Sequence, residues 1–478
     1  MLFNTVQGPF PPAFGMQKTG KLKTVDSRHS SAKHLSVGFE TLDRELFDPE
    51  PCYELLGESG VKFARCQSGW SRCEQSPGKY EFDWLDRVVN RFLELGIQPW
   101  LGLTFGNKLY SPDAKHPSAV GCPPICYGEK AVEAWKNFIR EVVRRYRGKV
   151  THFEVWNEPD NRQFWGPGAP DPAQYVELVR ITSSVIRAEN PEAKIIGGAF
   201  ADVQAAEECL KLGMGEFCDI VSYHSYTMYP EFYAKMFADF MRECVRRHAP
   251  HLKIWHGESG CPSQSGDHYD EWIRLFRSDE EVQAKWLARR IATDFRNGLD
   301  MFSYYHTSDL TLKPYVNGDG VPTKAGRMGL LAAPEVKPKM SYRVLQHFCA
   351  LFDDSLKTCP LRSMVAYDNV YDPCLAPERP RDGFTNIIVD SCTCEGYPFY
   401  LYYYPGDLQR SQTLSAALGN TFQAVAENSI AEPVLADTVS GMVYSFSRFA
   451  LKDGKLFLQR IPLTDYPLIL TDRKALKL

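Results

Sequence analysis

From about Leu35 to Phe348, short apolar runs alternate with amphipathic segments. Eight of the runs read as strands: Leu35 to Glu40, Val61 to Cys66, Ile97 to Phe105, Val150 to Glu158, Lys194 to Phe200, Cys218 to Tyr226, Leu252 to Glu258 and Met301 to His306. Several of the intervening segments carry helical spacing. In Ala131 to Arg147, the residues Val132, Trp135, Phe138, Ile139, Val142 and Val143 recur at steps of three and four, which is one face of a helix. Ala173 to Glu189 follows Asp171-Pro172, a cap and a first-turn proline, and stops before Asn190-Pro191. Glu281 to Phe295 ends at Asn297-Gly298. Strands alternating with helices imply βαβ units and a parallel sheet. Eight such units match the size of a (β/α)8 TIM barrel, an α/β fold. A doubly wound sheet would carry a Gly-rich phosphate loop after its first strand, and none is present.

Beyond Ala333 the texture changes. Pro334 to Phe348 predicts a last helix after a proline-marked boundary. From Arg362 onward come short runs such as FTNIIVD, YPFYLYYY, SGMVYSFSRFAL and YPLILTD, separated by Pro, Gly and Asp. Frequent turns without helical periodicity predict a C-terminal antiparallel β-sandwich. Residues 1–35, rich in Gly, Pro, Ser and Lys, read as an extended arm able to pack on that sandwich. The expected organisation is therefore an arm (1–35), a barrel (36–335) and an accessory sandwich (336–478).

Composition narrows the partners. The 478 residues include 55 Lys plus Arg against 59 Asp plus Glu, a net charge of −4, with no run of like charges. That gives no electrostatic footprint for nucleic acid or an anionic membrane. Hydrophobic residues at 44% and aromatics at 13% supply a large core and exclude wholesale disorder. No apolar stretch is long enough to span a bilayer. Met1 to Phe10 lacks a basic segment followed by an apolar one, so no secretory leader is read there. The 14 cysteines are scattered through strands and helices, which reads as reduced thiols in a cytoplasmic protein. Two close pairs, Cys122 with Cys126 and Cys392 with Cys394, lack a second pair at zinc spacing, so no metal is expected. The pattern does not set an oligomeric state.

Barrel enzymes carry their working groups at the C-terminal ends of strands. There stand Arg65 on the second strand, Asn157-Glu158 on the fourth, His224 and Tyr226 on the sixth and Glu258 on the seventh. Carboxylates from strands four and seven can face each other across the barrel mouth, as a retaining glycosidase requires. Glu154 is a second acidic residue able to pair with Arg65 inside the wall.

With these residues in view, FEVWNEPD (Phe153 to Asp160) resembles the acid/base strand of the clan of retaining (β/α)8 glycoside hydrolases. With Phe164-Trp165 after it, the segment most resembles glycoside hydrolase family 39, the family of β-xylosidases and α-L-iduronidases. GKYEFDWLD, FGNKLY, the strand-six Tyr223-His224-Ser225-Tyr226 and WHGESG follow in the matching order. The resemblance implies hydrolysis of O-glycosyl bonds with retention, Glu158 as acid/base and Glu258 as nucleophile. It further implies that Asn157 bonds the sugar 2-hydroxyl and that the strand end is irregular there, because alternation would turn Asn157 outward. Arg65, His224 and Tyr226 join as substrate-site residues. Tyr305 stands where the clan places a stacking Trp, and Trp165 is a further stacking candidate alongside Trp70, Trp100 and Trp156. The implied partner is a carbohydrate, attacked from the end of a chain, and the chemistry asks for no cofactor. A linkage-specific endo-acting enzyme and a non-catalytic sugar binder on the same fold are the alternatives. The sandwich is expected to stabilise the barrel rather than to bind sugar.

Overall fold

The computed structural model describes the chain except residues 1–9, 11–13, 267–270, 317, 325, 360–386, 409–412, 417–419, 424–429 and 459–460. Eight parallel strands close into a barrel: β1 (Leu35–Gly38), β2 (Phe63–Gln67), β3 (Gln98–Leu103), β4 (His152–Val155), β5 (Lys194–Phe200), β6 (Ile220–His224), β7 (Lys253–Ser259) and β8 (Met301–Tyr304). Closure comes from β8 pairing with β1, Phe302 against Leu35 and Tyr304 against Val37. After the strands, in order, come α1 (Tyr53–Gly57), α2 (Asp83–Glu94), α3 (Glu129–Arg145), α4 (Pro172–Glu189), α5 (Val203–Lys211), α6 (Pro230–His248), α7 (Glu280–Arg296) and α8 (Met340–Leu351). This is the (β/α)8 barrel the alternation predicts.

The local causes are legible. In α3 the buried stripe is Trp135, Phe138, Ile139, Val142 and Val143, and α4 starts where Asp171 accepts from the amides of Ala173 and Gln174. The helix predicted from Pro334 begins later, at Met340, because Leu331–Ala332 and Lys337–Pro338 first pair as a hairpin. Pro338 cannot donate within a helix, and Lys339 is held instead by Asp309 (2.7 Å) and Ser263 (2.8 Å).

The barrel interior is layered. Trp100, Ile196, Ile220, Trp255 and Met301 form an apolar plug, with the rings of Trp100 and Trp255 edge to face at 5.2 Å. The Arg65 guanidinium lies over Trp100 at 5.5 Å. Glu40 and Glu154, both buried, surround it from β1 and β4. Apolar packing thus supports a charged layer, and the charged layer supports the mouth.

The described part of the C-terminal region is antiparallel. Its largest sheet has seven strands, in the order Met16–Lys21, Met442–Phe446, Pro433–Asp437, Leu468–Asp472, Tyr397–Tyr403, Ile388–Cys394 and Lys357–Thr358. A three-stranded and a two-stranded sheet accompany it. The first of the seven comes from the N-terminal segment. The beginning of the run predicted from Arg362, up to residue 386, lies outside the described residues. This region is joined to the barrel by a buried ion pair, Lys285 with Asp465 at 3.0 Å, and by Arg289 on α7, which grips Glu231 on α6 bidentately and donates to the Gly406 carbonyl.

Candidate active site

Two irregular strand ends aim the carboxylates. On β4, Glu154 points into the barrel and takes both Nε (2.8 Å) and NH2 (2.6 Å) of Arg65 on one oxygen. Trp156 then adopts φ +70° and packs outward against Trp135, its indole N–H donating to the Phe164 carbonyl at 2.7 Å. That reversal returns Asn157 to the interior, where its side-chain oxygen accepts from Arg65 NH2 at 2.8 Å. Glu158 follows at φ +45°, its amide bonded to the Ala199 carbonyl at the end of β5. A positive φ at a residue with a side chain is uncommon and marks an imposed conformation.

On β7 the register slips between His256 and Glu258. His256 faces outward, bonded to Asp294 on α7 at 2.7 Å and stacked on Tyr223. Regular alternation would send Glu258 outward as well; the bulge turns it to the mouth beside His224. Gly257 permits this, since a Cβ there would lie 2.1 Å from Ser222 Oγ.

The side chains then converge. Glu258 Oε1 accepts from the Tyr226 hydroxyl at 2.7 Å and its Oε2 from Arg65 NH1 at 2.5 Å. Glu158 Oε1 meets His224 Nδ1 at 2.9 Å, and its Oε2 accepts from Asn161 at 2.9 Å. His224 Nδ1 is 3.9 Å from Glu258 Oε2. One ligand atom from each of Glu158, His224 and Glu258 lies within 4.8 Å of the others. Such a set could reach a small cation, but the same atoms serve these hydrogen bonds.

The two carboxyls have different surroundings. Burial pushes Glu158 up to about 6, against the lowering pull of Asn161 and of Arg65. Burial lowers His224 to about 3, so the ring is neutral. Glu40 is raised by burial to about 8, Arg65 opposing, and Glu154 is also raised by burial.

A cavity of about 250 Å³ opens above this cluster. Asn157, Glu158, His224, Tyr226, Glu258 and Tyr305 line it, and Arg65 sits directly beneath. Trp165 lies elsewhere, buried edge to face between Trp156 (6.2 Å) and Tyr175 (6.0 Å). Trp70, Trp100 and Trp156 are likewise core residues, at most 1% exposed. Those three indoles pack on the barrel plug or on Trp135 of α3, whereas Trp165 also lines a second cavity of about 490 Å³. The cavity also contains Glu40, Arg44, Gln67, Asn161 and Tyr315, which the sequence reading did not select. Glu40 was findable, since it ends the first strand. Asn161 sits in the turn its amide closes on the Glu158 carbonyl and Tyr315 in a short strand paired with Thr323, neither of which strand periodicity selects.

A (β/α)8 barrel with a carboxylate from β4 and another from β7 meeting over a buried arginine defines the class. Residues 71–357 match the model of the glycosyl hydrolases family 39, and the chain belongs to that family. It is 26% identical over 319 residues to a β-xylosidase of Geobacillus stearothermophilus, covering 58% of this chain and 57% of the relative. A β-xylosidase of Caldicellulosiruptor saccharolyticus is 27% identical over 197 residues, covering 37% of this chain and 38% of that one. The matches thus span about half or less of those curated relatives. Among solved structures, a family 39 glycoside hydrolase of Bacteroides cellulosilyticus WH2 shares the fold, with TM-score 0.65, 18% identity, and 94% and 82% of the two chains covered.

Proposed function

We propose that the protein is a retaining glycoside hydrolase acting from the end of a β-xyloside chain, with Glu258 as nucleophile and Glu158 as acid/base. The observation that carries this reading is the separation of the two carboxylates. A ligand oxygen of one lies within 4.8 Å of a ligand oxygen of the other, nearer the about 5–5.5 Å spacing of a retaining pair than the about 6.5–9.5 Å of an inverting one. Glu258 attacks the anomeric carbon while Glu158, protonated below about pH 6, delivers its proton to the departing oxygen. Arg65 and Tyr226 hold the attacking carboxylate in place. In the second step Glu158, now ionised, takes a proton from the water that releases the sugar. Asn157, its oxygen fixed by Arg65, has its amide hydrogens left for the sugar 2-hydroxyl, and Tyr305 supplies a wall of the cavity. A cavity of 250 Å³, enclosed by loops from several strands, suits one terminal ring.

Two further parts belong to the same reading. The barrel unit runs to Leu351, since α8 follows β8 and bonds to α7 through Ser341 and Gln283 (2.7 Å), and the C-terminal sheets brace it. The described cysteines are all free, in keeping with a reducing, cytoplasmic setting.

The test is release of nitrophenol from xyloside, glucoside, galactoside, fucoside, arabinoside and glucuronide, with Glu258→Ala alongside and the product anomer followed by NMR. Turnover of the xyloside with the β-anomer formed first, absent in the variant, is expected. Formation of the α-anomer, or turnover equal in the variant, would overturn the assignment.

A further inference from the structure

Ser225 lies one position beyond the end of β6, between two members of the cluster, His224 and Tyr226. The ladder between β6 and β7 stops at the pair of His224 with Glu258, so strand pairing does not hold the Ser225 peptide. Two side chains of β7 hold it instead. The Ser225 amide donates to His256 Nε2 at 3.2 Å, and its carbonyl accepts from the Ser259 hydroxyl at 2.8 Å. We infer that His256 and Ser259 are positioning residues: they clamp the Ser225 peptide and so set His224 and Tyr226 against the two glutamates. The inference deepens the glycosidase reading above and rests on it.

Three observations support the clamp. First, its two arms flank Glu258 in the chain, His256 before it and Ser259 directly after. One stretch of backbone therefore makes both the bulge that turns Glu258 inward and the hold on Ser225. Second, the imidazole is itself fixed. Because Nε2 accepts, Nδ1 carries the hydrogen and donates to Asp294 on α7 at 2.7 Å. Arg290, one turn earlier on α7, holds both oxygens of Asp294. The ring stacks on Tyr223 with centroids 5.0 Å apart, and burial holds its pKa below the usual range, which keeps it neutral. His256, Arg290 and Asp294 are all buried. Third, the contacts that Ser225 separates are short: Tyr226 meets Glu258 at 2.7 Å and His224 meets Glu158 at 2.9 Å. A shift of about 1 Å in either would carry it out of hydrogen-bond range, and misplacement on that scale costs on the order of a hundredfold in rate.

The two ring nitrogens can be tested apart. In His256→Gln the side-chain oxygen reaches the place of Nε2 and still accepts from the Ser225 amide. In His256→Asn the side-chain nitrogen takes the place of Nδ1 and keeps the bond to Asp294, while the Ser225 amide is left without its acceptor. A role in packing alone would make the two variants alike, since each gives up one buried hydrogen bond. Ser259→Ala removes the other arm by the loss of a single oxygen. For each protein, kcat and KM are measured on the nitrophenyl glycoside that the wild type turns over, and Tm by calorimetry. Crystal structures of the two His256 variants show where Tyr226 lies.

His256→Asn is expected to lower kcat by about tenfold to a hundredfold with KM changed less than about threefold, and His256→Gln to recover kcat to within about threefold of wild type. Ser259→Ala should lower kcat by about threefold to tenfold. Equal kcat in the Asn and Gln variants, whatever their Tm, would overturn the inference and leave His256 a packing residue. If His256→Asn does not fold, Ser259→Ala decides: the expected fall in kcat supports the clamp, and a kcat within about twofold of wild type overturns it. If the wild type turns over none of the glycosides, the glycosidase reading fails by itself. The clamp is then judged on the crystal structures. Tyr226 displaced from Glu258 in His256→Asn but not in His256→Gln supports it, and Tyr226 unmoved in both overturns it.

Discussion

The ends of β4 and β7 present the same carboxyl group to the same cavity and treat it oppositely. At the β7 end, a guanidinium and a phenol donate to both oxygens of Glu258. At the β4 end, Glu158 meets a neutral imidazole and a neutral amide, and burial raises it to about 6. The difference is made by one residue placed asymmetrically: Arg65 touches Glu258 directly but reaches Glu158 only through Asn157 and the field across the cavity. Two identical side chains are thus given different environments by their neighbours, which is what the proposed division into acid and nucleophile requires.

That asymmetry can be broken piece by piece. The largest effect is expected for Glu258→Gln, which removes the attacking oxygen; kcat/KM on the aryl xyloside should fall by about 10⁴-fold or more. Glu158→Gln should lower turnover of a natural glycoside by about 10² to 10⁴-fold, and less for a nitrophenyl leaving group that departs without a proton.

The same variant tests the charge. Only the protonated acid works, so the wild-type kcat/KM should fall as pH rises through about 6, and this basic limb should vanish in Glu158→Gln. Folding is linked with the same sign. A carboxyl raised from 4.5 to about 6 is equally protonated in both states below 4.5. The folded state then loses stability as pH rises toward 6, by about 2 kcal/mol at most. Glu158→Gln is therefore expected to have a higher Tm than wild type at pH 7 and no advantage at pH 4, measured by calorimetry.

Tyr226→Phe removes one of the two donors to Glu258 and nothing from Glu158. A hydrogen bond to a charged group is worth about 1.5–3 kcal/mol, so a tenfold to hundredfold loss of kcat/KM is expected with the basic limb unmoved. Asn161→Ala acts on the other side. Asn161 holds the Glu158 carboxyl down, so its loss should move the basic limb upward while changing the rate at pH 5 by less than about threefold. A limb that moved with Tyr226→Phe but not with Asn161→Ala would reverse the assignment of the two glutamates.

The sequence carried the barrel because strand and helix periodicities differ, and all eight predicted runs fall on barrel strands. It carried the cluster members that end strands, Arg65, Glu158, His224 and Glu258, because position along a strand is itself a structural coordinate. The tryptophans were less legible. A large aromatic reads the same whether it faces a sugar or a core, and Trp70, Trp100 and Trp156 face the core while Trp165 borders a second cavity. The start of α8 was misread for a related reason, since a hairpin pairing five residues apart leaves no periodic trace.

By itself, then, the chain's pattern determined the barrel, its strand order and the chemical types available at its mouth. Only the folded structure decided where those types point. Two-residue alternation would have turned Asn157 and Glu258 away from the cavity. The left-handed turn at Trp156 and the bulge at Gly257 reverse them. Those irregularities depend on contacts made from other strands and helices, such as Trp156 against Trp135 and His256 against Asp294. Such contacts join residues 21 and 38 positions apart, beyond the reach of any local pattern.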